Sequence, residues 1–387
     1  MRLNKDSAYI QGDTPILTNK GWKPISKIKR GSVIYDSRGH WTKVIHISQA
    51  TQPFINYRMT FSDGNFIEGN SHLQFLTQTN QERQWHREKL YSYNEDIREA
   101  KLKELISSEP YYKFLNSNTY NKFLDLEINE YEKLYTIYQR SRYVDYDEIS
   151  QYCPSIIPDP FTVRTIKIHP YVLGVWLVNG NRKQIFFKIR KKYILENFKK
   201  LNYELTRLHQ YQLYRLKGVV WHFRKYKLFE QKHIPDSFKY NTLENRYHLL
   251  TGIRDGIGQK GGNTTKTTFV DPILYKDFCE LLYTFNISVK KTSYTPPMIN
   301  GIVFKKRLVA TFQYPKLEEL LNREKFQTRQ NIKRWIKVTS CKKAKQTKML
   351  FGIVVSSPEH SFLTGYSLIP TKDNYLKIDK RTISERK

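Results

Sequence analysis

The sequence predicts an α+β chain, with short β-strands in its first part and glycine-bearing helices further on. Two observations carry that prediction. Residues 9 to 78 are short apolar runs, such as Thr14-Pro15-Ile16-Leu17-Thr18 and Ser32-Val33-Ile34-Tyr35, broken by the turn signals Asn19-Lys20-Gly21, Ser37-Arg38-Gly39 and Ser62-Asp63-Gly64. Further on, the uncharged apolar run from His169 to Gly180 has proline near its start and glycine at its end, the punctuation of a short buried helix. Gly174 sits in its middle, where glycine costs roughly 1 kcal/mol against alanine, so a close backbone approach is expected. A weaker copy, with Gly252 at its centre, runs from Leu249 to Gly258.

A chain of 387 residues can hold two or three domains with real cores. Its formal net charge of +30 and its 14% aromatic residues favour a polyanion partner, nucleic acid above all. An AT-rich genome would inflate Lys, Asn, Ile and Tyr, but would not leave Asp and Glu so far outnumbered. The three cysteines, Cys153, Cys279 and Cys341, share no short spacing, which excludes a zinc ribbon or a disulfide framework and predicts a reduced interior. No apolar run approaches a membrane span and the N-terminus lacks a signal-peptide core. The expectation is an intracellular protein, in the nucleus or wherever its target DNA lies, neither secreted nor in a membrane.

Taken in order, Gly12-Asp13-Thr14-Pro15-Ile16-Leu17-Thr18, Gly21-Trp22-Lys23-Pro24-Ile25 and Gly31-Ser32-Val33 resemble the opening block of Hint domains, the self-splicing modules of inteins. Gly69-Asn70-Ser71-His72 resembles the second block, with His72 matching and Gly69 at a threonine position. Residues 81 to 165 include a charged helical pattern from Asp96 to Leu105, and read as a connector or a DNA-contacting insert. The run ending Asn179-Gly180, then Lys232-His233-Ile234-Pro235, the copy at 249 to 258 and Phe278 to Ile287 resemble four ordered blocks of the LAGLIDADG (DOD-type) homing endonucleases. Residues 321 to 350 carry ten Lys/Arg against one acid, and read as a basic linker or a source of phosphate contacts. Phe351 to Val355 and His360-Ser361-Phe362-Leu363-Thr364-Gly365 resemble the terminal Hint blocks.

The resemblance therefore implies an all-β Hint module split by an inserted two-motif LAGLIDADG domain of αββαββα type. The halves would be residues 1–80 and 351–387, with the DNA-binding domain at 166–320. The layout is similar to the branch that holds the yeast mating-type-switching endonuclease and the vacuolar-ATPase intein. That endonuclease ends in a cysteine-rich zinc-binding tail, which this chain lacks.

By the same resemblance, splicing needs a Cys, Ser or Thr nucleophile where this chain has Tyr9, with His72 assisting, and a closing His-Asn pair. Counting on from His360 puts that pair at Thr371-Lys372; Asn374 lies about two residues late. Lost splicing is the expectation. DNA cleavage in the family uses one acid at the end of each motif helix, the pair holding Mg²⁺ against the scissile phosphates. Five residues after each central glycine stand Asn179 and Ile257, neither an acid. In this register, the preferred one, Asp255 is a helix-end polar contact; in a second register, whose glycine spacing disagrees with the first copy, Asp255 becomes the acid and the candidate metal ligand. Lys232 matches a basic residue near the cleavage centre, or is an ordinary surface or phosphate-contacting lysine. Residues 171 to 310 carry 26 Lys/Arg and 9 Asp/Glu, and Lys183, Lys188, Arg190, Lys191 and Lys192 are candidate DNA contacts on a basic strand face.

These expectations point to a homing-endonuclease-like protein that binds double-stranded DNA as a monomer with internal pseudo-twofold symmetry. Cleavage, if it survives, would need Mg²⁺. Two alternatives stay open: a non-enzymatic, sequence-specific DNA-binding or regulatory protein on the same scaffold, and a decayed intein remnant.

Overall fold

The computed structural model describes residues 7–50, 55–75, 78–79, 151–156, 158, 160–181, 185–208, 212–257, 264–298, 303–315, 332–344, 349–358 and 360–374. The helical pattern expected at 96–105 and the candidate Lys183 lie outside them. The chain forms two compact units, one of residues 1–159 with 325–387, the other of residues 160–324. Helix and strand are mixed, and the strand pairings are antiparallel.

The N-terminal strands are β1 (Ile10–Gln11), β2 (Pro15–Thr18), β3 (Gly21–Pro24), β4 (Val33–Tyr35), β5 (Trp41–Gln49), β6 (Asn56–Phe61), β7 (Phe66–Asn70) and β8 (Gln78–Thr79), with β9 (Gln151–Ile156) beyond. In β6 the alternating Tyr57, Met59 and Phe61 are buried while Arg58 is exposed, the pattern of a strand with one wet face. The turn signals act where the sequence puts them. Asp36 Oδ1 accepts from the backbone N–H groups of Arg38 and His40, both at 2.9 Å, and Gly39 takes the left-handed φ of +84° that closes the β4–β5 hairpin.

The second unit runs α1 (Pro170–Asn179), β10 (Phe186–Lys188), α2 (Lys192–Lys200), β11 (Leu205–Arg207), β12 (Leu213–Leu216), α3 (Val220–Lys225), α4 (Asp236–Lys239), α5 (Leu243–Ile257), β13 (Thr264–Phe269), α6 (Pro272–Thr284), β14 (Lys290–Tyr294) and β15 (Arg307–Gln313). A repeat is visible: helix, strand, helix, strand, strand, twice. The sheets have the same order, β10-β12-β11 and β13-β15-β14. The expected αββαββα order is met in the first half with its first strand cut down to one bridge, Gly180 to Phe187.

α1 is buried from Pro170 to Leu177, which is why its sequence is apolar all round. His169 caps its N-terminus, Nδ1 accepting from the Tyr171 N–H at 3.3 Å, and Pro170 occupies the first turn where its missing N–H costs nothing. Around the helix Trp176 meets Phe223 edge-on at 4.8 Å between ring centroids, and Phe187 and Phe198 meet at 5.2 Å.

The chain then returns to the first unit with β16 (Ile332–Lys343), β17 (Leu350–Val355), β18 (Ser361–Thr364) and β19 (Ile369–Lys372). β17 inserts between β5 and β1, β16 between β6 and β9, and β18 pairs with β19. N-terminal Ile10, Met59 and Phe61 thus share one core with C-terminal Val338, Ile353 and Phe362. Much of the expected basic linker at 321–350 is therefore strand. Ile336, Val338 and Cys341 are buried between exposed or half-buried cations, and the cations masked that apolar pattern.

Candidate functional site

Glycine is required where α1 crosses α5. A Cβ on Gly174 would stand 2.4 Å from the Leu249 carbonyl oxygen; one on Gly252 would stand 2.2 Å from that of Tyr171. Gly256 is as tight, 2.4 Å from Val178 Cγ2 and 3.2 Å from Val175 Cα. Contacts advance in the same direction along both helices, from the His169–His248 rings through Tyr171–Gly252 to Val178–Gly256. The helices are parallel, with their C-terminal tips together. Because Gly174 and Gly252 face each other, equivalent positions five residues on are Asn179 and Ile257.

The tips carry structural bonds. Asn179 Nδ2 donates to the Gly256 carbonyl oxygen, so the tip of α1 satisfies a carbonyl at the end of α5. Ile257 offers no ligand atom. Asp255 is buried at 6% exposure, its Oδ2 accepting from the Tyr171 hydroxyl at 3.1 Å and its Oδ1 from Arg254 Nε at 3.2 Å. The same Tyr171 oxygen accepts from Asn197 Nδ2 at 3.0 Å; burial first, aided by the charge and hydrogen bond of Asp255 and opposed by the Asn197 bond, holds the phenol above its usual range. This donor set does not fit Mg²⁺, which needs carboxylate oxygens with room for water. An amide committed to a carbonyl, an isoleucine and an aspartate held by Tyr171 and Arg254 supply no such pair. Among the described residues no three His, Cys, Asp or Glu side chains stand together as ligands.

Lys232 belongs to the tip as well. Its Nζ donates to the carbonyl oxygens of Trp176 (3.3 Å), Leu177 (2.9 Å) and Gly180 (2.7 Å), and lies 5.0 Å from the Trp176 ring centroid. A cation on the last carbonyls of a helix is favoured by both hydrogen bonding and the helix dipole. Lys232→Met keeps the aliphatic stem and removes the cap, and is expected to lower stability by about 1–3 kcal/mol in a urea titration. Asn179→Asp sets a carboxylate against the Gly256 carbonyl. It is expected to cost about 1–3 kcal/mol at neutral pH, with part regained on acidification.

At the other end of the pair, the His169 and His248 rings lie 5.1 Å apart. Burial first, and then the neighbouring His248, hold the His169 imidazole down at about 4, with Glu244 opposing. Above pH 6.5 neither folded nor unfolded His169 binds a proton; below it the unfolded chain does and the folded chain does not. Stability is therefore expected to fall as pH drops from about 6.5 towards about 4. In urea titrations across that range, His169→Asn, which retains a capping acceptor, should flatten the fall.

The outward faces of the two sheets differ. On β13-β15-β14 the outward residues are Thr264, Lys266 and Thr268, then Arg307, Thr311 and Gln313, then Lys290, Thr292 and Tyr294, with Val309 buried on the central strand among them. None is acidic. On β10-β12-β11 they are Phe186 and Lys188, Leu213 and Arg215, and Thr206. Of the candidate contacts, Lys188 alone is placed on a described strand face. Arg190 is exposed just beyond β10, Lys191 is the residue before α2, and Lys192 opens α2 with Glu196 at 3.9 Å. Their helical spacing was hidden by the strand pattern ahead of them.

In the first unit two asparagines grip the N-terminal segment. Asn70 Oδ1 accepts from the Tyr9 N–H (2.8 Å), Asn70 Nδ2 donates to the Ser7 carbonyl (2.8 Å), and its backbone N–H donates to the Tyr9 carbonyl (3.0 Å). Asn374 Oδ1 accepts from the Ala8 N–H (2.7 Å) while its Nδ2 donates to the Ala8 carbonyl (2.8 Å). Tyr9 is buried, which raises its phenol pKa against a weaker opposing bond from Ser48. Gly69 is closed to a side chain, since a Cβ would stand 2.5 Å from the Tyr9 carbonyl oxygen. His72 is half-buried in the turn after β7.

Asn374 stands beside the N-terminal segment, the Asp373 carboxylate accepts from the Val355 N–H at 2.8 Å, and the counted pair Thr371-Lys372 lies in β19. Thr371 is fully buried in β19, sharing a hydroxyl bond with Thr364, and the Lys372 N–H donates to the Gln74 carbonyl at 3.1 Å. Asn70, Tyr171 and Arg254 were not singled out in the sequence. Asn70 had a signal, its place within the second block; the other two had none.

No protein-family description and no curated protein matches the chain. Among solved structures it is similar to the MchDnaB-1 intein, with 25% identity over 18% of this chain and 52% of that one, TM-score 0.17. It is similar likewise to the gp41-1 intein, with 25% identity over 18% and 54%, TM-score 0.17. Mesophilic variants of the homing endonuclease I-DmoI match at 11% identity over 40% of this chain and 90% of theirs, TM-score 0.26. The chain spans about half the length of those inteins.

Proposed function

We propose that this chain binds double-stranded DNA through residues 160–324, on a scaffold of the intein-type LAGLIDADG homing endonucleases, and that it neither cuts DNA nor splices itself. The observation that carries the reading is the β13-β15-β14 face, whose cations and hydroxyls lie exposed or half-buried without an intervening carboxylate. Such a face suits a duplex, whose phosphates reward cations and whose base edges accept and donate hydrogen bonds. Two parallel helices with matching sheets support a monomer with an internal pseudo-twofold axis. Loss of cleavage is supported by the amide, isoleucine and buried ion pair where two free carboxylates would be needed. Loss of splicing is supported by a buried phenol at Tyr9 and by the use of Asn374 as a backbone clip. Among the described residues no helix is long and apolar enough to cross a membrane.

The test is duplex binding by the purified full-length chain, followed by fluorescence anisotropy at rising salt, with the mass of the chain recorded in parallel. Binding that weakens steeply with salt and an intact mass are expected. Salt-independent or absent binding contradicts the DNA reading, and self-trimming at either end contradicts the loss of splicing.

A further inference from the structure

We propose that α3 is a stacking site for an unpaired base, and that the chain holds single-stranded DNA there through Trp221. This goes beyond the duplex reading and stands apart from it, because α3 belongs to neither sheet of its unit.

α3 has one anchored side. Phe223 is fully buried, edge-on to Trp176 at 4.8 Å between centroids and stacked beside Phe229 at 5.9 Å. Trp221 stands two residues earlier, about 200° round a helix of 3.6 residues per turn. The packing that holds Phe223 inward therefore turns the indole outward. Trp221 is 63% exposed and Val220 beside it 39%. Folding ordinarily buries most of an indole, so this one is displayed at a cost in lost burial.

The surrounding charge selects the partner. Lys217, Arg224, Lys225 and Lys227 are all exposed, and residues 205 to 229 hold six Lys/Arg and no acid. Lys225 Nζ lies 5.2 Å from the Trp221 ring centroid, which sets an ammonium against the indole. A nucleotide answers both groups at once, its base offering a flat π-face to the ring and its phosphate an anion to the lysine. The carboxylates of an acidic peptide would meet the cations and leave the indole in water. Bases inside a duplex are already stacked on their neighbours, so a free face belongs to an unpaired base.

The experiment is fluorescence anisotropy of the full-length chain with labelled oligothymidine, an abasic strand of equal length and a duplex. The oligothymidine is expected to bind more tightly than the abasic strand. Trp221→Ala should weaken oligothymidine binding by roughly 10-fold, leave the abasic strand and the duplex unchanged, and be partly rescued by Trp221→Phe. Because the side chain is exposed, the urea midpoint of each variant should match that of the parent. Arg224→Ala with Lys225→Ala should weaken both single strands and flatten their salt dependence. Equal binding of the two strands by the parent, or a Trp221→Ala chain that binds oligothymidine as the parent does, would overturn the proposal. Loss of duplex binding in step with oligothymidine would place the indole in paired DNA and overturn the unpaired-base assignment. Polyglutamate that binds the parent and loses affinity with Trp221→Ala would overturn the choice of a nucleic-acid partner. Failure of the duplex alone, with Trp221-dependent oligothymidine binding intact, would overturn the duplex reading and support this one.

Discussion

Gly252→Ala is expected to destabilise residues 160–324 by about 3 kcal/mol or more, and Gly174→Ala by a similar amount. The sign is informative. In an exposed helix the same change stabilises by about 1 kcal/mol, because alanine loses less backbone freedom. Here the new methyl carbon would stand 2.2 Å from the Tyr171 carbonyl oxygen or 2.4 Å from that of Leu249. Both obstacles are backbone, so no side chain can rotate away and the helices must separate. Separation would open the packing around Trp176, which is fully buried. A urea titration that follows tryptophan fluorescence should show the midpoint fall for either variant. A midpoint that rises would mean the helices do not approach this closely.

Asn374→Ala is expected to cost roughly 2–5 kcal/mol, since it strands both the N–H and the carbonyl of Ala8 in a buried setting. Asn374 is 2% exposed and Ala8 8% exposed, so water cannot replace the lost partner cheaply. The amide joins the last described residues to the first, across β1 and β17. Limited proteolysis should release a short N-terminal peptide from the variant well before the parent chain, and thermal melting should show the matching loss. Equal protection of the two proteins would mean that the clip contributes little. Asn70→Ala, which strands Ser7 and Tyr9 instead, should behave alike.

The all-β character of residues 9–78 was legible because its turns carry strong local chemistry at Asp36, Gly39 and Gly64. The paired helices were legible because Gly174 and Gly252 interrupt apolar runs at a cost that only close packing offsets. What escaped was chemistry set by long-range contact. Asp255 is held in the folded chain by Tyr171 and Arg254, partners that neither register of its motif names. Lys232 was placed near the helix tip by its motif, but its bonds to three backbone carbonyls belong to the folded chain alone. β16 was hidden because its five Lys and Arg outnumber Ile336, Val338 and Cys341, the apolar residues that are buried.

On the proposed reading the helix tips hold the scaffold together and lack the pair of free acids that a metal would need. Supercoiled plasmid carrying a selected binding sequence, incubated with the full-length chain and Mg²⁺ or Mn²⁺, tests it most directly. The expected result is a retarded complex from which intact supercoiled plasmid is recovered when the protein is removed. Nicked or linear product that disappears with Asp255→Ala would contradict it and make Asp255 a working catalytic acid.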